Sequence, residues 1–211
     1  MHASVLPEKQ RRALSALTPL ASRGFYLAGG TGLCLHLGHR RSVDLDFFCE
    51  SDFDPDALLR ELVAEGVAAA NVRTKPSTLW FEVEDVPISL MRFCYPNMHT
   101  PDEKWLGIRV ASLEDIAAMK IEAIASRGAR KDFIDLYLIC KRGLGVKGAL
   151  EAFNMRFASA HPDILHRLKA LTYFNDAERE PLPVMLTHVD WKNVRAYFEN
   201  EVHAIWLARD G

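Results

Sequence analysis

The chain has 211 residues, 49% of them hydrophobic and 26% charged, with a formal net charge of −2. That composition is ordinary for a globular protein, the length suits one large domain or a catalytic domain with a helical extension, and near-neutrality argues against nucleic-acid binding over the whole surface. No apolar run approaches the ~20 residues that span a bilayer, no signal peptide is visible, and the scattered cysteines Cys34, Cys49, Cys94 and Cys140 form no C-x-x-C pair, so the expectation is a reduced cytoplasmic protein with no membrane partner, zinc site or disulfide framework.

In chain order, Pro7 to Ser22 reads as a helix, with Leu14, Leu17 and Ala21 on one stripe. Phe25 to Ala28 reads as a short strand running into a turn at Gly29-Gly30, and Thr31 to Leu37 as a short apolar helix. After the polar loop 39–42, Val43 to Phe48 alternates as a strand, with Asp44 and Asp46 on one face and Val43, Leu45 and Phe47 on the other. Asp54-Pro55 opens a helix that Gly66 ends. Leu79–Glu84 and Pro87–Phe93 read as a hairpin, and Tyr95 to Trp105 as a loop. From Ser112 onward helical patterns dominate, near 112–126, 130–142, 147–158, 162–174 and 190–207. The class is therefore α+β: a mixed β-sheet in an α/β core over 1–111, and a helical region over 112–211.

Two features carry chemistry. A strand ending in paired glycines leaves backbone N–H groups free at a helix start, and missing side chains let a phosphate approach. Asp44 and Asp46, two apart on a strand, share a face. Two such carboxylates suit one or two hard divalent ions, Mg²⁺ or Mn²⁺, which polarise a nucleophile and bind phosphates for in-line displacement. Singly, a Gly-Gly is usually a turn and an Asp-x-Asp a solvated face; the apolar character of this strand sets it apart. Farther on, Lys120, Ala123 and Arg127 fall on one helical stripe. Such a stripe suits a triphosphate, Lys as a mobile point charge and Arg as a planar fork, or is simply a basic helix end favoured by the dipole. Asp132 reads as a first-turn acid. Asp135, among Phe133, Ile134, Leu136 and Tyr137, needs a partner that Lys120 or Arg127 would supply.

The stretches Leu27–Thr31 and Arg41–Phe48 resemble the AbiEii/AbiGii-type nucleotidyltransferases, toxin components of bacterial toxin–antitoxin and phage-defence systems. Lys120-x-x-Ala123-x-x-x-Arg127, Lys131–Leu136 and Tyr173–Glu178 are similar to later motifs of that family, in the same order. The resemblance implies a DNA polymerase β-like nucleotidyltransferase fold. It implies transfer of a nucleoside monophosphate from an NTP to a hydroxyl of tRNA, another RNA or a protein, and a cognate antitoxin as partner. Asp44 and Asp46 would hold the metal. Gly29, Gly30 and Thr31 would cradle phosphates, with Arg40 or Arg41 beside them. Lys120 and Arg127 would neutralise the leaving pyrophosphate, with Asp135 in support. Aligned to the family, Met91 stands where a third carboxylate is expected, and Met cannot ligate Mg²⁺; Glu82 and Glu84 are candidates to replace it. This departure leaves two other readings open: a catalytically impaired nucleotide-binding regulatory protein, or a phosphohydrolase using the same acids.

Lesser signals are His36 and His39, at a spacing compatible with metal ligation or with capping, and the basic run from Arg127 to Lys147, either an RNA-backbone footprint or a solvated helix pair. Trp191, Tyr197, Phe198 and Trp206 read as core or interface.

Overall fold

The computed structural model describes residues 2–101 and 104–210. The chain divides into two compact units, Met1–Ser112 and Leu113–Gly211.

The first unit begins with helix α1, Glu8–Ala16, followed by a 3-10 turn at Thr18–Arg23. The single helix expected over 7–22 is interrupted there because Pro19 lacks the N–H for the helical ladder and its ring crowds the preceding turn. Strand β1 (Tyr26–Leu27), helix α2 (Gly29–Leu37), strand β2 (Leu45–Cys49) and helix α3 (Pro55–Ala64) follow. Asp54 caps α3 by accepting hydrogen bonds from the Asp56 and Ala57 N–H groups, with Pro55 at the first helical position. Then come β3 (Ala70–Lys75), β4 (Thr78–Val83), β5 (Val86–Arg92) and a two-stranded ribbon of β6 (Lys104–Trp105) and β7 (Ile108–Arg109). The loop expected over 95–105 includes residues 102 and 103, which lie outside the described residues.

The main sheet has the order β1-β2-β5-β4-β3. β2 and β5 are parallel; the other pairs are antiparallel. One face carries Leu45, Phe47, Leu79, Phe81, Ile88 and Leu90, which form one core with Leu14 of α1, Leu17 just after it, and Leu58 and Leu62 of α3. Period-two alternation therefore turns Asp46, Ser89 and Trp80 to the other face.

In the second unit, helices α4 (Leu113–Arg127), α5 (Arg130–Ile139), α6 (Gly145–Arg156), α7 (Ile164–Ala170) and α8 (Trp191–Asp210) replace the five expected ones with shifted ends. Phe133 of α5 is its aromatic centre, with ring centroids 5.1 Å from Phe174, 6.0 Å from Trp191 and 5.8 Å from Phe198; the three phenylalanines are buried and Trp191 is half-buried. Asp115 and Arg156 form an ion pair at 2.6 Å between α4 and α6, both side chains fully buried. Among the described residues, no helix is long and apolar enough to cross a membrane.

Candidate active site

β1 leads directly into α2. The Ala28 N–H is held by the Asp46 carbonyl at 3.0 Å, and Ala28 caps α2 without a side-chain hydrogen bond. The first-turn N–H groups of Gly29, Gly30 and Thr31 have no acceptor inside the helix, and the dipole there favours an anion. The missing glycine side chains also leave room for groups of the protein itself. Gly29 has φ of +59°, and a Cβ on it would lie 2.8 Å from Asp46 Oδ2; a Cβ on Gly30 would lie 2.6 Å from Arg40 Nη2 and 2.7 Å from Ser42 Oγ. The space opened by the missing side chains is filled by the protein's own polar groups, which seat Asp46 against the start of α2.

Thr31 is 1% exposed and its hydroxyl donates to the Asp44 carbonyl. It fixes the backbone at Asp44; its side chain is not turned out to a ligand. The strand starts at Leu45, two residues later than expected: Asp44 sits at the approach to β2, and Val43 is exposed, not on the core face. Ser42 Oγ donates to Asp44 Oδ1 at 3.1 Å. Asp46, inside β2, accepts from Ser89 Oγ on β5.

The register between β2 and β5 pairs Asp46 with Ser89 and Phe48 with Met91. The residue beside Asp46 is therefore Ser89, and Met91 lies two pairs farther along. Neither glutamate completes a triad. Glu82 accepts from Asn71 Nδ2 at 2.7 Å, on the outer strand β3. Glu84 lies in the β4–β5 turn with φ of +52° and pairs with Arg12 of α1, whose hydrogen bond holds the Glu84 carboxyl below its usual range. The two do not share a strand face. No group of three or more His, Cys, Asp or Glu able to hold a metal occurs among the described residues. Two half-buried carboxylates do fit an ion that takes one or two carboxylates and fills its remaining positions with phosphate oxygens and water.

The loop before Asp44 is far more buried than its composition implies. His39 is 2% and Arg40 4% exposed, and Arg40 Nη1 donates to the Arg41 carbonyl; Arg41 is exposed. His36 hydrogen-bonds the Ala111 carbonyl at 2.8 Å, a structural role. Cys34, Cys49 and Cys140 are buried, and burial pushes the Cys49 thiol up to about 11.

The second unit holds a separate charged cluster. Lys120 Nζ lies 2.7 Å from Asp132 Oδ1 and 2.6 Å from Asp135 Oδ2, and both carboxylates are fully buried. Arg127 forks onto Asp132, Nε to Oδ2 at 2.7 Å and Nη2 to Oδ1 at 3.0 Å. Desolvation alone would raise the Asp132 carboxyl; the Lys120 charge, then the Arg127 hydrogen bond and charge, outweigh it and hold that carboxyl below its usual range. Lys120 is thus not a mobile point charge: it is 5% exposed and shared by two acids. Asp132, read from the sequence as an ordinary first-turn acid, is the residue on which both cations converge. Its i, i+3 spacing to Asp135 was the available signal. Farther along the basic run, Arg130 bonds the Ala177 and Glu178 carbonyls and Lys141 lies over the Tyr197 ring at 5.5 Å.

Residues 12–103 and 95–209 match the model of the nucleotidyl transferase AbiEii toxin family, type IV toxin–antitoxin system. The chain belongs to the AbiEii family. An uncharacterized protein of Aquifex aeolicus (strain VF5) is 34% identical over 202 residues, 93% of this chain and 96% of its own. Two solved structures share the fold: an H. pylori protein assigned as a nucleotidyltransferase (TM-score 0.54, 17% identity, 95% of this chain and 96% of its own), and the antibiotic-resistance factor ANT(2'')-Ia (TM-score 0.53, 16% identity, 75% of this chain and 97% of its own). The α+β architecture of this AbiEii chain is thus a polymerase β-like nucleotidyltransferase fold. Within it, the AbiEii strand pair β2–β5 carries Asp46 beside a serine.

Proposed function

We propose that this protein transfers a nucleoside monophosphate from an NTP to a hydroxyl of an RNA or protein acceptor, as the toxin of a toxin–antitoxin pair held in check by a cognate antitoxin. The observation that carries this reading is the seating of Asp46 Oδ2 against Gly29 at the start of α2: it brings a carboxylate and an anion-binding helix start to one point.

In this reading Asp44 and Asp46 hold Mg²⁺ or Mn²⁺. Bound there, the ion would neutralise phosphate charge and polarise the attacking oxygen. The Gly29, Gly30 and Thr31 N–H groups receive phosphate oxygens, and exposed Arg41 adds positive charge beside them. Ser42 and Ser89 orient the two carboxylates. The acceptor oxygen bonds to the α-phosphorus and passes its proton to solvent water, while the bond to pyrophosphate breaks and pyrophosphate leaves with the bonding electron pair. Lys120 and Asp135 keep Asp132 and Arg127 in place, and Arg127, with its side chain 56% exposed, is the cation of that cluster assigned to phosphate.

The lack of an acid beside Asp46 on β5, where Ser89 stands, favours one alternative, a nucleotide-binding regulator without turnover. Incubation with Mg²⁺, labelled NTPs and total tRNA or total protein separates the two. Label incorporated by the wild type and not by Asp46→Ala supports transfer; NTP binding without incorporation or pyrophosphate release supports the alternative. Release of free phosphate or nucleoside monophosphate would instead indicate hydrolysis.

A further inference from the structure

Gln10 breaks the pattern of its own helix. It stands on the stripe Gln10, Ala13, Leu14 and Leu17, spaced i, i+3, i+4 and i+7, whose other three members are fully buried in the core. Gln10 itself is 4% exposed. Its Nε2 donates to the Ser42 carbonyl at 2.7 Å, which fixes the orientation of the amide, because a carbonyl only accepts. Its Oε1 is buried and has no hydrogen-bond partner among the described residues. An unsatisfied polar atom in a core costs stability, and an apolar side chain of the same length would fill the position without that cost. Packing therefore does not account for a glutamine there. Its one bond, to the loop that carries Asp44, does.

Residues 41–44 belong to no helix or strand, so side-chain bonds rather than a ladder fix the position of Asp44. Thr31 donates to the Asp44 carbonyl, and Ser42 Oγ donates to Asp44 Oδ1 at 3.1 Å. Ser42 is 6% exposed, and its Oγ lies only 2.7 Å from where a Cβ on Gly30 would stand, so its hydroxyl has little room to seek another direction. We propose that Gln10 is a positioning residue for Asp44. By holding the Ser42 carbonyl from α1, it sets the Ser42 hydroxyl against Oδ1 and keeps the Asp44 carboxylate preformed for a divalent ion. The inference rests on the reading of Asp44 and Asp46 as metal ligands. Groups that orient a ligand without touching the metal typically contribute 10- to 100-fold in metal affinity. Gln10 acts through one further residue, which places its effect at about the lower end of that range.

The test titrates Mn²⁺ into the full-length protein, with free Mn²⁺ read by electron paramagnetic resonance, and compares wild type with Gln10→Met. Methionine keeps the unbranched side chain and removes both polar ends. Gln10→Met should bind Mn²⁺ about tenfold more weakly, while its melting temperature stays level or rises, since the orphan Oε1 goes with the lost bond. In a Ser42→Ala background the same substitution should have almost no effect on Mn²⁺ affinity, because the path to the carboxylate is already cut. Leu14→Ala, on the same stripe, lowers stability by leaving a cavity and should bind Mn²⁺ as the wild type does. Equal affinity in wild type and Gln10→Met overturns the proposal. So does an equal weakening by Leu14→Ala, or an undiminished effect of Gln10→Met in the Ser42→Ala background. If Asp44→Ala also binds Mn²⁺ as the wild type does, the metal reading of Asp44 falls together with the proposal. If Asp44→Ala binds weakly and Gln10→Met does not, only the role of Gln10 falls.

Discussion

Ser89 on β5 donates its hydroxyl to the Asp46 carboxylate on the parallel neighbour β2. A serine there orients an acid but adds no negative charge, so no third acid stands beside Asp46 on β5. Removing a hydrogen bond to a charged group costs about 1.5–3 kcal/mol, which corresponds to about 10- to 100-fold in rate where the contact persists in the transition state. Ser89→Ala should lower transfer within that range, and Met91→Leu should leave it unchanged, because Met91 pairs with Phe48. Steady-state incorporation measures both; the reverse ranking would mean that Met91, not Ser89, neighbours the chemistry.

Gly29→Ala should be severe for two separable reasons. The left-handed backbone costs about 1–2 kcal/mol for a residue with a Cβ, and the new Cβ would press on Asp46 Oδ2. Gly24→Ala serves as the control, since Gly24 also has positive φ, +80°, but nothing lies within 4 Å of its Cβ position. Urea unfolding should show similar backbone penalties, with additional loss of metal-dependent NTP binding only in Gly29→Ala. Equal binding by the two variants contradicts the contact with Asp46.

Lys120→Met leaves Asp132 and Asp135 buried with one shared cation removed. Breaking a buried pair in this way costs about 3–5 kcal/mol. The double variant Lys120→Met with Asp135→Asn should recover part of that loss, because the unbalanced carboxylate goes with its partner. Denaturant titration gives both values; additive losses would mean that the two residues are not coupled.

The cluster also predicts an acid limb in the stability profile. Asp132 has a folded pKa below its unfolded value of about 3.9. Its contribution is therefore fully present above the unfolded pKa and is lost as pH falls through that value toward the folded one, beginning below about pH 5. Asp132→Asn should be less stable at neutral pH and should show a shallower decline on acidification. An unaltered slope between wild type and variant would remove Asp132 from the account.

Much of the fold was legible because periodicity reports burial. Leu45 and Phe47 alternate with Asp46 and Phe48, and the Asp54-Pro55 start of α3 follows from capping chemistry alone. β3 was not legible: all six residues are exposed, Asn71 has φ of +51° and the pairing with β4 slips between Ala70 and Arg73, so no alternation marks it. At the site, the sequence pointed to Asp44, Asp46 and the glycines but not to what fills the glycine space, because Arg40 and Ser42 reach Gly30 only through the folded loop. Ser89 was missed for a related reason. A two-residue shift in strand register decides whether Ser89 or Met91 stands beside Asp46, and register is set by cross-strand pairing that a single strand's pattern does not reveal. Asp132 was read by its place in the helix, whereas its partners come from α4.

The most direct test of the central claim is transfer itself, with wild type and Asp46→Asn compared in Mg²⁺ and labelled NTP beside an RNA pool. Wild type should release pyrophosphate in equal amount to the label incorporated, and chelation of the metal or Asp46→Asn should abolish both. Incorporation that survives in Asp46→Asn, or a wild type that binds NTP and releases no pyrophosphate, would contradict the assignment of the Gly29–Asp46 seat as a nucleotidyl-transfer site.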